Sequence, residues 1–218
     1  YLPTGFQRGT TLPLLVVHDG NDFLQHANVL SAIDFELTAG AIAPIAVLLI
    51  DPWERLAEYG ASRDHAIHVV EEVLPHVQRR VGLLSRPGER ALIGASMGAV
   101  ASLATAWHFP RQFGRVGLIS GTFVHTLNDN WPAEIFAPVT EFLESFAREP
   151  RLHDYRAFTS VGRYEGLVDF HRRLNPLLRA ARLQLHSVET WDGHHWGAWR
   201  DRLSDCLRFL FPTTPPTG

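Results

Sequence analysis

The chain alternates short, almost unbroken apolar runs with stretches in which apolar residues recur every three or four positions. "PLLVVH" (13–18) and "APIAVLLI" (43–50) are apolar at successive positions, the pattern of strands covered on both faces. "RALIGA" (90–95), "RVGLIS" (115–120), "RAFTSVG" (156–162) and "LQLHSVETW" (183–191) are further strand candidates. Between them the period lengthens to that of a helix. Ile67, Val70, Leu74, Val77 and Val81 form one stripe, with Glu71, Glu72, Gln78 and Arg79 off it. Ile135, Val139, Phe142 and Phe146 form a second, behind Pro132 near a helix start. Leu167, Phe170, Leu174, Leu177 and Ala181 form a third, and Trp199, Leu203, Cys206 and Leu210 the last. Strand and helix in alternation predict an α/β fold with right-handed crossovers, a mostly parallel sheet and helices on both faces. In such sheets, sites lie at the carboxyl ends of strands.

One junction carries chemistry. "LIGASMGAVAS" (92–102) sets Gly94, Ser96 and Gly98 in G-x-S-x-G spacing where an apolar run becomes a helix. A strand turning sharply into a helix puts such a serine at the tip of the turn, with glycines where backbones pass closely. A serine hydroxyl is a poor nucleophile until a base, a group orienting that base and oxyanion donors surround it. The chain order serine, acid, histidine is available. "RYEGLVDF" offers Glu165 and Asp169 after one strand, and "DGHHWGAW" offers His194 and His195 after the next. Of the 12 histidines, His65, His68 and His76 fall on the polar side of a helix, and His108 lies at a helix end before Pro110. His194 differs, following Gly193 on a loop before the last helix, and is the expected base. The Met97 N–H at the helix start is the expected first oxyanion donor. "HDGNDF" (18–23) is expected to supply the second, with Gly20 letting the chain turn so that the Asn21 N–H faces the site.

Composition narrows the class. The 218 residues suit one α/β domain, 1–211, followed by a disordered tail at 212–218, "PTTPPTG". The chain is 45% apolar and 20% charged, enough for a sizeable core. A net charge of −3 with both signs mixed along the chain argues against a nucleic-acid partner. No apolar run approaches the roughly 18 residues of a membrane span. The lone Cys206 excludes an intrachain disulfide and a Cys-rich metal site, and its helical spacing with Trp199, Leu203 and Leu210 makes it a core residue. No H-E-x-x-H or comparable spacing occurs, so no metal and no cofactor are expected. The start at Tyr1 reads as a cut in mid-strand, and with no leader visible the expected location is cytoplasmic.

Several stretches together resemble the "Putative esterase" family of α/β hydrolases, and within it the catalytic domain of enterochelin esterases. They are "YLPTGF", "VVHDGNDFL", "IDPWERLAEYG", "EEVLPHV", "LIGASMGAVAS", "HFPRQFGRVGLISG" and "WDGHHWGAWRDRL". The resemblance implies Ser96 as nucleophile, His194 as base and Glu165, three residues after Gly162, as acid. Ala99 stands where the family has a second glycine after the elbow, and the large amino-terminal domain of full enterochelin esterases has no counterpart in these residues. Arg55 and Glu58 allow two readings. They form an i, i+3 ion pair on a short helix, or Arg55 stands at the mouth of the site to meet an anionic substrate such as a ferric catecholate. Trp196 is a candidate pocket wall. The expected activity is hydrolysis of a small-molecule carboxylic ester, a siderophore ester among the candidates, through an acyl-enzyme. The alternatives are acyl transfer to a sugar or other alcohol, and an inactive binding domain.

Overall fold

The computed structural model describes residues 1–128, 130–152 and 155–213, so the tail expected at 212–218 lies largely outside the described residues. The alternation of patterns becomes an alternation of elements. In chain order come β1 (Thr11–Leu12), β2 (Leu14–His18), α1 (Gly20–His26), α2 (Val29–Thr38), β3 (Ala46–Ile50), α3 (Arg55–Tyr59) and α4 (Arg63–Ile67). A π-helical segment (His68–Val73) leads into α5 (Leu74–Gln78), β4 (Gly82–Leu83), β5 (Arg90–Ala95) and α6 (Met97–His108). Then follow β6 (Arg115–Ile119), α7 (Ala133–Arg148), β7 (Arg156–Gly162), α8 (Val168–Ala180), β8 (Gln184–Thr190), α9 (Trp196–Arg200) and α10 (Leu203–Leu210).

Six of the strands form one parallel sheet in the order β3-β2-β5-β6-β7-β8, while β1 and β4 pair separately. Each of the six apolar or mixed runs picked out in the sequence is one strand of the main sheet. The reason is visible in β2, where Leu14 and Val16 enter one core layer and Leu15 and Val17 the other. Successive side chains point to opposite faces, so a strand covered on both must be apolar throughout. Tyr59, Val100, Phe142, Phe146 and Leu174 fill the first layer, and Phe23, Ile33, Trp199, Leu203 and Cys206 the second. Cys206 is fully buried, as its spacing predicts. No helix among the described residues is long and apolar enough to cross a membrane.

Some details differ from the sequence pattern. The stripe from Ile67 to Val81 is one continuous helix by spacing, yet a π segment interrupts it ahead of Pro75. Proline has no N–H for the carbonyl four residues back, and a π turn lets the backbone absorb the missing bond. The last stripe divides into α9 and α10, joined where Arg202 N–H donates to Trp199 O at 3.1 Å. "HDGNDF" is not a loop; its residues from Gly20 onward begin α1. His65 does not lie on a polar face. It is 6% exposed, with its ring against those of His18 and Tyr59.

Candidate active site

The junction of β5 and α6 is strained where the sequence places its serine. Ser96 has φ 55 and ψ −123, outside the conformations a side chain ordinarily adopts. The neighbouring glycines make room for this turn. A Cβ on Gly94 would sit 2.2 Å from the Gly98 carbonyl oxygen, and one on Gly98 would sit 3.0 Å from Asp19 Oδ2. Ser96 N–H donates to Ile119 O at 3.0 Å, and Ser96 O accepts from Thr122 N–H at 3.2 Å, tying the turn to the end of β6.

Three side chains from three strand ends meet at this turn. Ser96 Oγ lies 3.2 Å from His194 Nε2, and His194 Nδ1 lies 2.8 Å from Glu165 Oε2. Glu165 is 6% exposed and does not rely on the histidine alone. Its Oε1 accepts from the Ser120 hydroxyl and the Gly162 N–H, each at 2.7 Å. Burial by itself would raise its pKa, but the His194, Ser120 and Gly162 donors outweigh that and hold it below the usual carboxylate range. The His194 ring rests edge-on against Trp199, centroids 4.9 Å apart.

The competing candidates are engaged elsewhere. His195 lies 2.8 Å from Asp192 through Nε2, while its Nδ1 accepts the Ala198 N–H at the start of α9. Asp169 is on α8, 3.4 Å from Arg172. The Met97 N–H is at the first position of α6, beside Ser96. The Asn21 N–H is not free to face Ser96, because it donates to Asp51 Oδ1 at 3.0 Å.

A cavity of about 380 Å³ opens beside the serine, lined by Ser96, Thr122, His194, Arg55, Trp131 and Phe136 among others. Arg55 is among the residues lining this cavity, and the i, i+3 pair with Glu58 is not formed. Its partner is Asp19 and not Glu58, through Nε to Oδ1 at 2.9 Å and Nη2 to Oδ2 at 2.7 Å. Glu58 instead accepts the Trp53 and Glu54 N–H groups. Trp196 is not a wall of the cavity; it packs against Phe23 and Trp199, centroids 5.2 and 4.7 Å away. Phe23 and His26 on α1 both hold the ring, centroids 5.2 and 5.7 Å away. Trp131 and Phe136 hold the wall, edge to face at 5.2 Å.

Sequence reading missed Asp19, Ser120 and Thr122, whose Oγ1 is 3.1 Å from Ser96 Oγ. Ser120 and Thr122 had one signal. They are polar residues just beyond "RVGLI", at the carboxyl end of a strand adjacent to the elbow strand.

Comparison with known proteins identifies the family. The family model described as "Putative esterase" matches residues 1–210. The iron(III) enterobactin esterase of Dickeya dadantii is 29% identical over 94% of this chain and 49% of its own length. The iron(III) salmochelin esterase of Escherichia coli is 27% identical over 91% of this chain and 50% of its own. The chain therefore spans about half the length of these two relatives. Among solved structures, the enterochelin esterase of Shigella flexneri superposes with a TM-score of 0.82 at 21% identity, covering 96% of this chain and 53% of that one. A ferulic acid esterase superposes at 0.76 with 17% identity, covering 96% and 90%. At such identities the structural likeness speaks for the fold, which is that of the α/β hydrolases. The matching model, running over nearly the whole chain, makes this protein a member of the "Putative esterase" family.

Proposed function

We propose that this chain is a serine esterase that works through an acyl-enzyme, with Ser96 as nucleophile, His194 as general base and Glu165 as the acid that orients it. The observation that carries the reading is the unbroken hydrogen-bonded line from Glu165 through His194 to Ser96 at a strained strand-to-helix turn. His194 Nε2 takes the Ser96 proton as Oγ attacks the ester carbonyl. Glu165 keeps the Nδ1 proton in place and stabilises the imidazolium that forms. The oxyanion is received by the Met97 N–H, where the start of α6 also favours negative charge. The Asn21 N–H is the second donor once Asp51 gives it up. His194 then returns its proton to the leaving alcohol, and water repeats the sequence to release the acid.

The proposed substrate is an ester with a bulky, anionic acyl part, and a siderophore trilactone or its linear fragments is the first candidate. Support comes from the relatives named above and from the cavity, which Arg55 lines together with Trp131 and Phe136. The test pairs a fluorophosphonate probe with turnover of p-nitrophenyl butyrate and of ferric enterobactin. Ser96 is the residue labelled, and Ser96→Ala loses roughly 10⁴- to 10⁶-fold in kcat. Labelling of Ser96→Ala at the wild-type rate overturns the mechanism. Turnover of the simple ester without the siderophore overturns the substrate and leaves the esterase.

A further inference from the structure

Beneath the elbow runs a second line of polar side chains, which the proposed reaction does not use. Ser102 Oγ lies 2.9 Å from the Gly98 carbonyl oxygen and 2.9 Å from His18 Nδ1. His18 Nε2 lies 3.1 Å from His65 Nε2, and His65 Nδ1 lies 3.1 Å from Glu58 Oε2. His18 and Ser102 are fully buried and His65 nearly so. We infer that Glu58, His65, His18 and Ser102 are positioning residues forming a one-proton switch, whose charge state decides whether the Ser102 hydroxyl is given to the Gly98 carbonyl in the first turn of α6.

The inference follows from counting hydrogens. Ser102 has one to give. If it goes to the Gly98 carbonyl, Ser102 Oγ must accept from His18 Nδ1–H. His18 Nε2 is then bare and takes its bond from His65 Nε2–H. A neutral His65 would now turn a bare Nδ1 toward an ionised Glu58, two lone pairs at hydrogen-bond distance. That arrangement requires a further proton between them. In the alternative, Ser102 O–H donates to His18 Nδ1, His18 Nε2–H to His65 Nε2, and His65 Nδ1–H to the Glu58 carboxylate. Each of these four side chains is satisfied by the others with one proton fewer, and the Gly98 carbonyl loses the hydroxyl. The difference is one proton, exchanged with bulk water.

The groups facing His65 are Glu58 and Tyr59 on α3, His18 on β2 and His68 on the π segment. Asp19 and Arg55 lie beyond Tyr59, with Asp19 N–H bonded to its hydroxyl. A cavity of about 610 Å³, lined by Glu58, His65, His68, Asp51 and Asp64 among others, gives solvent access to this end of the line. Burial lowers the His65 pKa despite Glu58, and it lowers His18 to about 3, with His65 adding and the Ile93 carbonyl opposing. Glu58 is held low by the Glu54 and Trp53 N–H groups and His65, which outweigh its burial. The proton-poor form therefore belongs to neutral pH, and His65 takes the proton on acidification. The Gly98 carbonyl is also the group on which a Gly94 side chain would collide, so the switch acts at the contact that seats the elbow under β5.

The test is nitrogen-detected NMR of the histidine tautomers in the full chain from about pH 8 down to the acid limit of the folded state, with signals assigned through His18→Gln and His65→Gln. At the alkaline end His18 carries its proton on Nε2 and His65 on Nδ1. On acidification His65 becomes imidazolium, His18 moves its proton to Nδ1, and the Gly98 carbonyl carbon shifts with the same midpoint. Ser102→Ala keeps the His65 titration and loses the Gly98 shift. A His65 that takes no proton before the chain unfolds, a His18 tautomer that stays fixed while His65 titrates, or a Gly98 signal that does not follow it overturns the switch, and the wild-type titration alone decides this if a variant fails to fold. The consequence for turnover rests on the esterase reading. There the acid limb of kcat/KM carries two protonations in wild type and one in His65→Gln. A single protonation in both overturns the link to turnover, while absence of any ester turnover condemns the esterase reading and not the switch.

Discussion

The Arg55 guanidinium is clasped edge to edge by the Asp19 carboxylate, through two bonds of 2.9 and 2.7 Å at the rim of the serine's cavity. Asp19 is buried and Arg55 is partly exposed, so the pair offers the cavity an oriented donor whose charge is largely compensated. The Asp19 backbone N–H also donates to the Tyr59 hydroxyl at 3.0 Å, which holds the main chain that carries the carboxylate. Arg55→Ala is expected to raise KM for an anionic ester by about three- to tenfold over a matched neutral ester. Asp19→Asn removes the compensating charge and is expected to move that ratio the other way. Equal effects on both esters in both variants would show that the guanidinium does not meet the substrate.

Asp51 occupies the Asn21 N–H that the mechanism assigns to the oxyanion. A carboxylate there competes with the developing negative charge for one donor. Asp51→Ala is therefore expected to raise kcat by about two- to tenfold with little change in KM. A fall in kcat would mean that Asn21 is not a donor in the reaction and that Asp51 serves the site in another way.

Glu165→Gln preserves shape but replaces an acceptor with a group that can hold the His194 ring in the wrong tautomer. Its kcat is expected to fall by roughly 10³- to 10⁴-fold with the fold intact. His195→Ala, by contrast, removes the side-chain cap on Ala198 N–H, an effect on stability of about 1 kcal/mol, and leaves turnover within a few fold. Circular dichroism melts alongside steady-state kinetics separate the two effects. His195→Ala losing more kcat than His194→Ala would move the base from His194 to His195.

Gly94→Ala is expected to cost several kcal/mol or to abolish soluble expression, because its Cβ would meet the Gly98 carbonyl at 2.2 Å. Backbone cannot step aside as a flexible side chain does. A Gly94→Ala protein melting near the wild-type temperature would contradict the close passage of strand and helix.

Acid should destabilise this fold through histidines held neutral. Burial lowers His171 to about 4 and His18 to about 3, whereas both take up protons near the ordinary value of about 6.5 once unfolded. The unfolded chain binds more protons inside that window, so this stability is whole above about pH 6.5 and drains away as pH falls through it. Neither ring nitrogen of His171 has a hydrogen-bond partner among the described residues. His171→Phe is expected to reduce the slope of melting temperature against pH below neutral. An unchanged slope would exclude His171 as a contributor.

The middle of the sheet was legible in the sequence because β2 and β5 are buried at every position, and burial on two sides leaves a continuous apolar run, whereas the edge strand β8 is partly exposed and reads as a mixed run. The elbow was legible for a related reason. A Cβ on Gly94 would run into the Gly98 backbone four residues on, a demand for glycine that is local in the chain, whereas the room at Gly98 is limited by the Asp19 side chain. Glu165 and His194 could be proposed from chain order, each following a strand. What only the tertiary structure decided are the partners drawn from distant segments. Nothing near Arg55 in the chain announces Asp19, 36 residues away. A short helix makes Glu58 the natural partner by spacing, until the fold gives Glu58 two backbone donors and His65 instead. His65 looked polar by periodicity, because a helical wheel does not reveal that His18 and Tyr59 cover that face. Trp196 looked like a wall, being near the base in sequence, but the ring turns toward Phe23 on α1. Periodicity reports how much of an element is buried; which side chain meets which depends on how separate elements come together, and one strand's spacing carries no record of its neighbour's.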